Sequence, residues 1–364
     1  MKKIAIYIPS MLGGGAEKVV LLLANGMAAR GIKVDLVLAK AIGPYLKELS
    51  PAVRVVDLGV KRAATSLFPL VRYLRRERPQ ALLSALNHSN IIAIWAKMLS
   101  NVNVQLVLSV HGNVSQSHAK SRSLREKSGL PLMRWFYPKA DGIVAVSRGV
   151  ADDLAAFLKL PRSSVSVVYN PIDADAVRKL ANKSVNYPWF QSQGVPVLVS
   201  VGRLVPEKDF SCLIQAFSKL RQSRDVRLVI LGEGPLREDL EREVNAFGLE
   251  KDVFLPGFVD NPFAMMCAAD LFVLSSAWEG FGNVLVEAMA CSIPVISTDC
   301  PSGPAEILEN GKWGHLVPVG DANSLFGAMM EALDSTEHPD VSARASDFSV
   351  DQAVDGYLQL LLPD

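Results

Sequence analysis

Arg203 and Lys208 provide two cations close enough in sequence to bind one anion. They lie in the segment Gly-Arg-Leu-Val-Pro-Glu-Lys at 202–208, which follows the apolar run 197–201. Arginine offers a planar pair of donors to phosphate oxygens and lysine a compact charge, so the two suit a diphosphate and can stabilise the charge on a departing nucleotide. The alternative is two exposed residues in an ordinary loop, although the second half of the chain is otherwise rich in acids.

Two carboxylates follow another apolar run, at 271–274. Glu279 precedes a predicted helix, and Glu287 lies one turn beyond the first residue of that helix. Between the two carboxylates stand Gly280, Phe281, Gly282, Asn283 and Val284. The start of a helix has free backbone amides that bind an anion. The carboxylates then flank this anion site instead of sharing one helical face, and they suit the hydroxyls of a sugar and of a ribose.

The first half of the chain has further candidates directly after its apolar runs. Gly14 and Gly15 precede a helix, so their amides can approach a phosphate closely, although a tight turn also uses glycine for conformational reasons alone. His111 follows the run 105–110 and so lies where a doubly wound domain binds its ligand, although a lone histidine is more often structural. The candidates on the acceptor side are His88, Asn113 and Asn170.

Apolar runs alternate with helical patterns along the whole chain, which predicts parallel sheets covered by helices on both faces. The pattern stops near residue 184 and starts again at 195, and 364 residues are enough for two cores. We therefore predict an α/β protein with a first doubly wound domain at 1–184, a linker at 185–194 and a second doubly wound domain at 195–345. A helix at 346–364 follows and is expected to pack back toward the first domain.

The charges divide unevenly between the two halves. Residues 1–184 hold 27 Lys and Arg against 11 Asp and Glu, a net +16, and the remainder carries −15. This asymmetry suggests an anionic partner for the first half, such as a phospholipid surface or a phosphorylated acceptor, or else two surfaces that evolved separately. Two basic and apolar stretches, 67–78 and 120–139, could lie on an anionic membrane or form solvated helix faces. The first stretch contains Phe68, Arg72, Arg75, Arg76 and Arg78, and the second contains Arg122, Arg125, Lys127, Arg134 and Trp135.

Targeting, membrane-spanning and metal signals are weak. The opening run is too short for a signal peptide, and no stretch approaches the length of a spanning helix, so we expect a cytoplasmic protein, at most peripheral on the inner face of the membrane. No Asp-x-Asp follows a strand in a suitable place, so neither a metal nor another cofactor is expected. The four cysteines are expected to be reduced core thiols. They are Cys212, Cys267, Cys291 and Cys300.

The segment around the two carboxylates resembles the E-x7-E signature of the retaining GT-B glycosyltransferases of family 4, and the resemblance covers nearly the whole chain. It includes Gly-Gly-Gly-Ala-Glu-Lys at 13–18, Tyr-Asn-Pro-Ile-Asp at 169–173, Gly-Glu-Gly-Pro at 232–235 and Pro-Gly-Phe at 256–258. The resemblance implies two Rossmann-like domains facing a central cleft and a nucleotide diphosphate sugar as donor. It also implies roles for single residues: Arg203 and Lys208 hold the diphosphate, Glu287 the ribose, Glu279 the transferred sugar, and Phe258 and its neighbours the base. Glu233 joins the donor-binding set, the turn at Gly14 and Gly15 closes on the phosphates from the other domain, and His111 lies beside the donor sugar or the leaving group.

The predicted reaction moves a hexose or N-acetylhexosamine, expected to be linked to UDP, onto a hydroxyl of a lipid-linked or cell-surface glycan with retention of configuration. Proximity and stabilisation of the leaving group supply most of the catalysis. A glycoside hydrolase explains the two carboxylates but neither Arg203 nor Lys208. A nucleotide-sugar epimerase of similar fold and a non-catalytic donor-binding partner remain open alternatives, whereas no nucleic acid is expected as a partner.

Overall fold

A computed structural model of the chain describes residues 2–60, 63–120, 129–185, 187–190 and 194–363. The chain forms two compact units. The first unit is made of Met1–Ile172 and Phe348–Asp364, and the second is Asp173–Asp347. The basic residues Arg122, Arg125 and Lys127 of the second predicted membrane stretch lie outside the described residues.

The described part of the first unit contains a seven-stranded parallel sheet. Its strands are β1 (Lys3–Ile8), β2 (Lys33–Leu38), β3 (Val53–Asp57), β4 (Ala81–Ala85), β5 (Gln105–Val110), β6 (Gly142–Ala145) and β7 (Val165–Val167). Their order is β3-β2-β1-β4-β5-β6-β7. The order reverses between β1 and β4, and the crevice beyond the carboxyl ends of two such strands is where open α/β sheets bind ligands.

Helices cover both faces of this sheet because its strands are apolar on both sides. Residues 4–8 of β1 are fully buried, as parallel strands between two helical layers must be. The helices are α1 (Gly15–Ala29), α2 (Leu67–Glu77), α3 (Asn87–Ser100), α4 (Val114–Lys120), α5 (Gly129–Phe136) and α6 (Arg148–Leu158). Among them, α2 packs against α3, and α3 packs against α5.

The second unit repeats this architecture, and its described residues form a six-stranded parallel sheet ordered β10-β9-β8-β11-β12-β13. The strands are β8 (Val197–Val201), β9 (Arg227–Leu231), β10 (Val253–Gly257), β11 (Leu271–Leu274), β12 (Val295–Thr298) and β13 (His315–Val317). The helices are α7 (Ala174–Ala181), α8 (Phe210–Ser223), α9 (Arg237–Ala246), α10 (Pro262–Ala268), α11 (Asn283–Ala290), α12 (Pro304–Ile307), α13 (Ala322–Asp334) and α14 (Val341–Ala345). Helices α8 and α13 pack together over a core that includes Phe217 and Met329.

A last helix, α15 (Val350–Leu361), belongs to the first unit although it follows the second in sequence. Its Val354, Tyr357 and Leu361 are buried in the core of the first sheet. It packs closely against α1: a Cβ on Gly26 would lie only 2.8 Å from the Val350 side chain. Arg30 at the end of α1 forms ion pairs with two aspartates of α15, Asp351 at 2.8 Å and Asp355.

The structure divides the chain at Ile172, whereas the sequence analysis placed the first boundary at 184. Helix α7 joins the second unit because it packs against α10 and α11, and the Asn261 amide donates to the Leu180 carbonyl at 2.9 Å. The predicted linker also packs on the second unit, since the Tyr187 ring stacks on Phe254 with centroids 4.4 Å apart.

The cysteines are free thiols, and three of the four are buried. The prediction that all four lie in the core was wrong for Cys267, which is exposed near the end of the short helix α10. The neighbouring Met266 is fully buried, so Cys267 lies on the solvent side of the helix.

Candidate functional site

The candidate residues of the second unit follow β8 and β11, the two neighbouring strands at which the sheet order reverses. We call the loops 202–209 and 275–282 the second-unit crevice. Two hydrogen bonds to backbone carbonyls join these loops: Ser275 Oγ donates to the Lys208 carbonyl at 2.8 Å, and Ala277 N donates to the Glu207 carbonyl at 2.8 Å. The crevice therefore has a fixed backbone before any ligand binds.

Lys208 and Glu279 form an ion pair across the second-unit crevice, with Lys208 Nζ 2.5 Å from Glu279 Oε1. Both side chains are mostly buried, at 17% and 13% exposure, so water screens the pair only weakly. Ser276 Oγ donates to the same carboxylate oxygen at 2.7 Å. Glu279 Oε2 has no contact of this kind among the described residues, which leaves it to accept a hydrogen bond from a ligand.

Gly202 sets the path of the Lys208 side chain. A Cβ on Gly202 would lie 3.1 Å from Lys208 Cε and 3.2 Å from Cδ, so the lysine stem runs directly across this glycine. The next loop supports the same backbone, because Gly232 has φ +143° and a Cβ there would lie 1.9 Å from the Gly202 carbonyl oxygen. Glycine at both positions lets three layers of backbone and side chain stack closely.

Arg203 differs from Lys208 in having an exposed side chain. Among the described residues its guanidinium has no ion pair or hydrogen bond, while its backbone carbonyl accepts from Val205 N at 2.9 Å. The sequence predicted that both cations hold one diphosphate. The structure contains one lysine held by a carboxylate and one arginine whose donors face outward.

The start of α11 forms the floor of the second-unit crevice. Gly282 has φ +97° and precedes the first helical residue, Asn283. The loop is locked from behind, since a Cβ on Gly303 would lie 1.9 Å from the Phe281 carbonyl oxygen. The Phe281 side chain is buried, so it anchors the turn and only its backbone is left for a ligand. Val284 and Glu287 are half-buried on α11.

Cys300 lies close to the Lys208–Glu279 ion pair and is a neutral thiol. Burial, together with the negative charge of Glu279, raises the pKa of Cys300 to about 12. A thiol that keeps its proton is neither a nucleophile nor a metal ligand at neutral pH. Cys300 therefore contributes packing to the crevice.

Glu233 and Phe258 follow β9 and β10, one strand further along the sheet. Glu233 accepts a hydrogen bond from Arg237 Nη1 at 2.7 Å, and its carboxylate lies against the backbone of Gly257. Phe258 is 74% exposed, a large fraction for a phenylalanine. An exposed ring beside a charge-paired carboxylate offers a stacking surface with a polar edge, which suits a nucleotide base.

The first unit has an equivalent crevice, which we define as the residues that directly follow β1, β4 and β5: 9–14, 86–88 and 111–113. Gly14 precedes α1, and Gly15 is the first residue of that helix. The sequence analysis missed Glu17, whose carboxylate folds back so far that a Cβ on Gly14 would lie 2.4 Å from its Oε2. A phosphate approaching these amides must displace this carboxylate, because both occupy the positive end of one helix.

His111 lies at the end of β5 with its Nε2 2.9 Å from Ser109 Oγ. Its Nδ1 is buried and has no hydrogen-bond partner among the described residues. The surrounding protein withdraws water from the ring and lowers the pKa of His111 to about 4. His111 is therefore neutral at physiological pH.

The other acceptor-side candidates lie in different surroundings. His88 is exposed on the first turn of α3, directly after Leu86, whose φ is +76°. Asn113 is buried, and its Oδ1 accepts hydrogen bonds from Ser115 Oγ and Gln116 N at 3.0 Å, so this oxygen caps the start of α4. Asn170 is buried near the end of the first unit's main segment.

Neither a metal site nor a membrane span occurs in the part of the chain that the structure describes. No three His, Cys, Asp or Glu side chains there are grouped so as to hold an ion. Within the same residues, each helix is too short or too polar to cross a bilayer. The expectation that the protein works without a metal stays a prediction.

Two Rossmann-like units, each with a ligand crevice at the reversal of its strand order, define the GT-B class of proteins. Residues 13–176 match the family described as Glycosyltransferase Family 4, and residues 188–346 match Glycosyl transferases group 1. The chain belongs to this family and is a glycosyltransferase of the family 4 type, as the E-x7-E signature predicted.

Named relatives and solved structures agree with this assignment. The chain is 30% identical over 349 residues to the N-acetylgalactosamine-N,N'-diacetylbacillosaminyl-diphospho-undecaprenol 4-alpha-N-acetylgalactosaminyltransferase of Campylobacter jejuni, covering 92% of this chain and 91% of that one. It is 25% identical to the lipopolysaccharide core biosynthesis glycosyltransferase LpsE of Rhizobium meliloti, with 96% of each chain covered. The crystal structure of Anabaena HepE in complex with UDP and glucose has the same fold, with a TM-score of 0.80 over 99% of both chains at 22% identity.

Proposed function

We propose that this glycosyltransferase transfers a hexose or N-acetylhexosamine from a UDP-linked donor to a hydroxyl of a lipid-linked or cell-surface glycan, with retention of the anomeric configuration. The observation that carries the proposal is the pairing of an outward-facing Arg203 with a carboxylate-held Lys208 beside the start of α11. One diphosphate can contact all three, because each presents donors at the same sheet edge.

The Lys208–Glu279 pair explains how one site binds both a diphosphate and a sugar. Lys208 Nζ has three N–H donors. One donates to Glu279, so the other two can donate to phosphate oxygens. Glu279 Oε1 accepts from Lys208 and Ser276, which directs Oε2 to a sugar hydroxyl. Glu279 thus works as an anchor for the transferred sugar.

Leaving-group stabilisation supplies the main catalytic contribution in this proposal. Charge accumulates on the diphosphate as the glycosidic bond breaks, and fixed cations lower the energy of that state without reorganising. The loop contacts through Ser275 and Ala277 hold Lys208 in place before the donor binds. His111 in the first unit is proposed to contact the donor sugar or the acceptor as a neutral group.

The choice of UDP is supported by the HepE structure, which is a complex with UDP and glucose. The exposed ring of Phe258 offers a stacking surface to the base. The proposed acceptor follows from the Campylobacter jejuni relative, which is named for a diphospho-undecaprenol substrate. The first unit as the structure defines it carries a net +12 and the second −11, so a diphosphate-linked acceptor is attracted to the first unit.

We also propose that the first unit contacts an anionic membrane through the face formed by α2, α3 and α5. Phe68 and Trp135 are 75% and 77% exposed on this face. Two of the four arginines named for it are engaged within the unit: Arg75 donates to carbonyls at the end of α3, and Arg76 pairs with Glu77. Arg72 and Arg78 are exposed, which leaves two charges for lipid headgroups.

The test combines a donor panel with a matched pair of variants. Purified protein is incubated with UDP-, GDP- and ADP-linked sugars, with and without a diphospholipid-linked glycan, and the anomeric configuration of the product is read by proton NMR. We expect transfer from a UDP-sugar only when the acceptor is present, and a product with the donor's configuration. Conversion of donor alone to another nucleotide sugar would favour the epimerase, and binding without turnover would favour a donor-binding partner.

The matched variants are Arg203→Ala and Arg242→Ala. Arg242 is an exposed arginine of the same unit that pairs with Asp239 on α9. Loss of charged hydrogen bonds to the diphosphate should weaken UDP binding roughly tenfold to a hundredfold in Arg203→Ala, while Arg242→Ala binds UDP like the unmodified protein. Equal affinities in a calorimetric titration would overturn the assignment of Arg203.

A further inference from the structure

Three polar side chains form a line of hydrogen bonds that ends at the first-unit crevice. The Nδ2 atom of Asn90 lies 3.1 Å from the Ser109 carbonyl oxygen and 3.3 Å from the Tyr137 hydroxyl. The same hydroxyl lies 3.3 Å from Asn87 Oδ1. Asn90 and Tyr137 are fully buried, whereas Asn87 is half-buried in the part of the crevice that follows β4. The role in glycosyl transfer proposed above makes no use of these three side chains.

The Ser109 carbonyl fixes the orientation of the Asn90 amide. A carbonyl oxygen only accepts, so the Asn90 atom that lies 3.1 Å from it is the nitrogen. The second hydrogen of this nitrogen then donates to the Tyr137 hydroxyl. Turning the amide over would place two oxygens 3.1 Å apart with no hydrogen between them. Asn90 Oδ1 has no donor among the described residues, and buried acceptors are left unpaired more often than buried donors are.

The proton of the Tyr137 hydroxyl fixes the orientation of Asn87 in turn. Burial raises the pKa of Tyr137 above its usual value, so the hydroxyl keeps its proton at physiological pH. This hydroxyl accepts from Asn90, and among the described residues Asn87 Oδ1 is the acceptor that its own proton can reach. The opposite orientation of the Asn87 amide would set N–H groups against the hydroxyl and leave its buried proton unpaired, which is unfavourable. Each buried proton of the line therefore has an acceptor when Asn87 Oδ1 points inward.

With its oxygen turned inward, Asn87 presents its Nδ2 group to the first-unit crevice. No described residue accepts a hydrogen bond from this group, so both of its hydrogens remain for a ligand. The residues that define the crevice include no Lys or Arg, and the Glu17 carboxylate lies over Gly14. A neutral donor in such surroundings suits an uncharged oxygen better than a phosphate, which binds charged donors more strongly.

We propose that Asn87 is a specificity-determining residue that binds an uncharged oxygen of the acceptor sugar, either a hydroxyl or an N-acetyl carbonyl. Tyr137 and Asn90 are positioning residues that hold the Asn87 amide in its donating orientation. The identity of the ligand rests on the proposed function, in which the first unit binds the acceptor. The orientation of the amide does not depend on that function.

The backbone on both sides of this line is held in place. Trp95 of α3 packs edge-on against Phe136, the residue before Tyr137, with ring centroids 5.5 Å apart. Leu86, the residue before Asn87, has φ +76°, a strained value that persists only where the surrounding structure enforces it. The Asn87 amide is therefore fixed before a ligand arrives and loses little conformational entropy on binding.

Asn87→Asp tests the donor with almost no change of shape. The inner oxygen still accepts from Tyr137, while the outer atom becomes an oxygen that does not donate. Protein labelled with 15N at its asparagines is titrated, without any nucleotide sugar, with methyl glycosides of hexoses and of N-acetylhexosamines. The Asn87 side-chain signals are assigned by their loss in the variant. We expect a glycoside to shift these signals, and ligand-observed NMR should show that it binds Asn87→Asp roughly tenfold to a hundredfold more weakly.

Asn101→Asp is the matched control, because Asn101 is exposed at the other end of α3 and the substitution changes the charge by the same amount. It should bind the glycoside like the unmodified protein. In Tyr137→Phe the Asn87 amide is free to turn over, so about half of the molecules present the donor and the affinity should fall about twofold. An unchanged affinity would overturn the part assigned to Tyr137.

Hydrogen exchange reads the orientation in the unmodified protein, whether or not Tyr137→Phe folds. The Nδ2 hydrogens of Asn87 should exchange rapidly with water because they face the crevice, and those of the buried Asn90 should exchange slowly. Slow exchange of the Asn87 hydrogens would contradict the inward position of its oxygen.

The glycoside titration separates the sources of the bound oxygen. Binding of the N-acetylated glycosides alone identifies the carbonyl, and binding of both classes identifies a hydroxyl. The proposal fails if no glycoside shifts the Asn87 signals, if Asn87→Asp and Asn101→Asp bind equally, or if inorganic pyrophosphate shifts these signals and the glycosides do not.

Kinetics distinguish this inference from the proposed function. In a transfer assay, Asn87→Asp should raise the KM for the acceptor and leave the KM for the donor unchanged. An unchanged KM for the acceptor would overturn the assignment of Asn87. Because the titration needs neither a donor nor turnover, failure of the proposed function is recognised separately.

Discussion

The two units share one strand order and differ in what their crevices contain. The second-unit crevice holds a lysine–glutamate pair and an outward arginine, inside a unit whose net charge is −11. The first-unit crevice holds a neutral histidine and a helix start already covered by Glu17, inside a unit whose net charge is +12. The second-unit crevice thus carries cations inside an acidic unit, and the first-unit crevice carries a neutral histidine inside a basic unit.

This contrast indicates that the net charge of a unit and the fixed charges in its crevice have different functions. Charges spread over a surface act over roughly 10 Å and steer a ligand toward a unit. Fixed charges within a few ångströms of a ligand decide which group binds and which state is stabilised. The acidic second unit thus needs its cations only where the diphosphate lies, and the basic first unit can attract an anionic acceptor without a cation beside His111.

Replacing Lys208 with alanine should give the largest loss of activity, because it removes the fixed cation of the second-unit crevice. The change removes the cation and leaves the Glu279 charge beside the diphosphate with only Ser276 Oγ as a donor among the described residues, so kcat/KM should fall about a hundredfold to a thousandfold. Initial rates at saturating acceptor measure the effect. Lys312→Ala, which removes an exposed lysine paired with Glu309, should keep full activity. If Lys208→Ala keeps rates within a factor of two of the unmodified protein, Lys208 does not stabilise the leaving group.

The neutral character of the first-unit crevice predicts a dependence of stability on pH. Because the pKa of His111 is about 4 when folded and about 6.5 when unfolded, the unfolded chain binds more protons between these values. Stability from this group is therefore complete above pH 6.5 and is lost as the pH falls, by about 2 kcal/mol between pH 7 and pH 5.

Urea unfolding of the unmodified protein and of His111→Gln at both pH values measures this difference. The glutamine variant should lose less stability on acidification, while His88→Asn, which changes an exposed histidine of the same unit, should follow the unmodified protein. Parallel losses in all three proteins would mean that His111 titrates normally.

Gly202→Ala tests the position of Lys208 separately from its charge, because the variant moves the side chain and keeps the cation. The new methyl group would lie 3.1 Å from Lys208 Cε, which forces the side chain to shift by a few tenths of an ångström. Misplacement on that scale should lower kcat/KM roughly tenfold. Gly327→Ala is the control, because a Cβ there meets no atom within 4 Å. If both variants keep full activity, the position of the lysine matters less than its charge.

The smallest expected effect concerns the basic surface of the first unit. Trp135→Ala should weaken binding to vesicles that contain anionic phospholipid by about threefold, and added salt should weaken binding of both proteins. Phe247→Ala is the matched control, since it removes an exposed aromatic ring from the acidic unit. Sedimentation with the vesicles measures the bound fraction. Equal binding of all three proteins would place the membrane contact elsewhere.

Local sequence patterns predicted the fold well because the strands are continuous apolar runs and the helices start at recognisable turns. The apolar runs at 105–110, 197–201 and 271–274 are the strands β5, β8 and β11 with the same bounds. The strands β3, β6, β7 and β13 were missed. Three of them, β3, β7 and β13, are edge strands, which are less buried, and β6 is a buried run of only four residues.

The candidate site was harder to predict because its decisive contacts join distant parts of the chain. Lys208 and Glu279 were both named from their positions after strands, but their ion pair spans 71 residues and no local pattern contains it. Asn87 was not named at all, since 50 residues separate it from the Tyr137 hydroxyl that orients its amide. Glu17 was visible in the motif at 13–18, and only the structure shows its carboxylate folded over Gly14.

The position of α15 has a consequence for how the protein is made. Val354, Tyr357 and Leu361 belong to the core of the first sheet, yet the ribosome synthesises them after the whole of Asp173–Asp347. While the second unit is emerging, the first lacks one of its covering helices and leaves apolar surface beside Gly26 open to water. The first unit therefore becomes complete after the second, although its synthesis begins first.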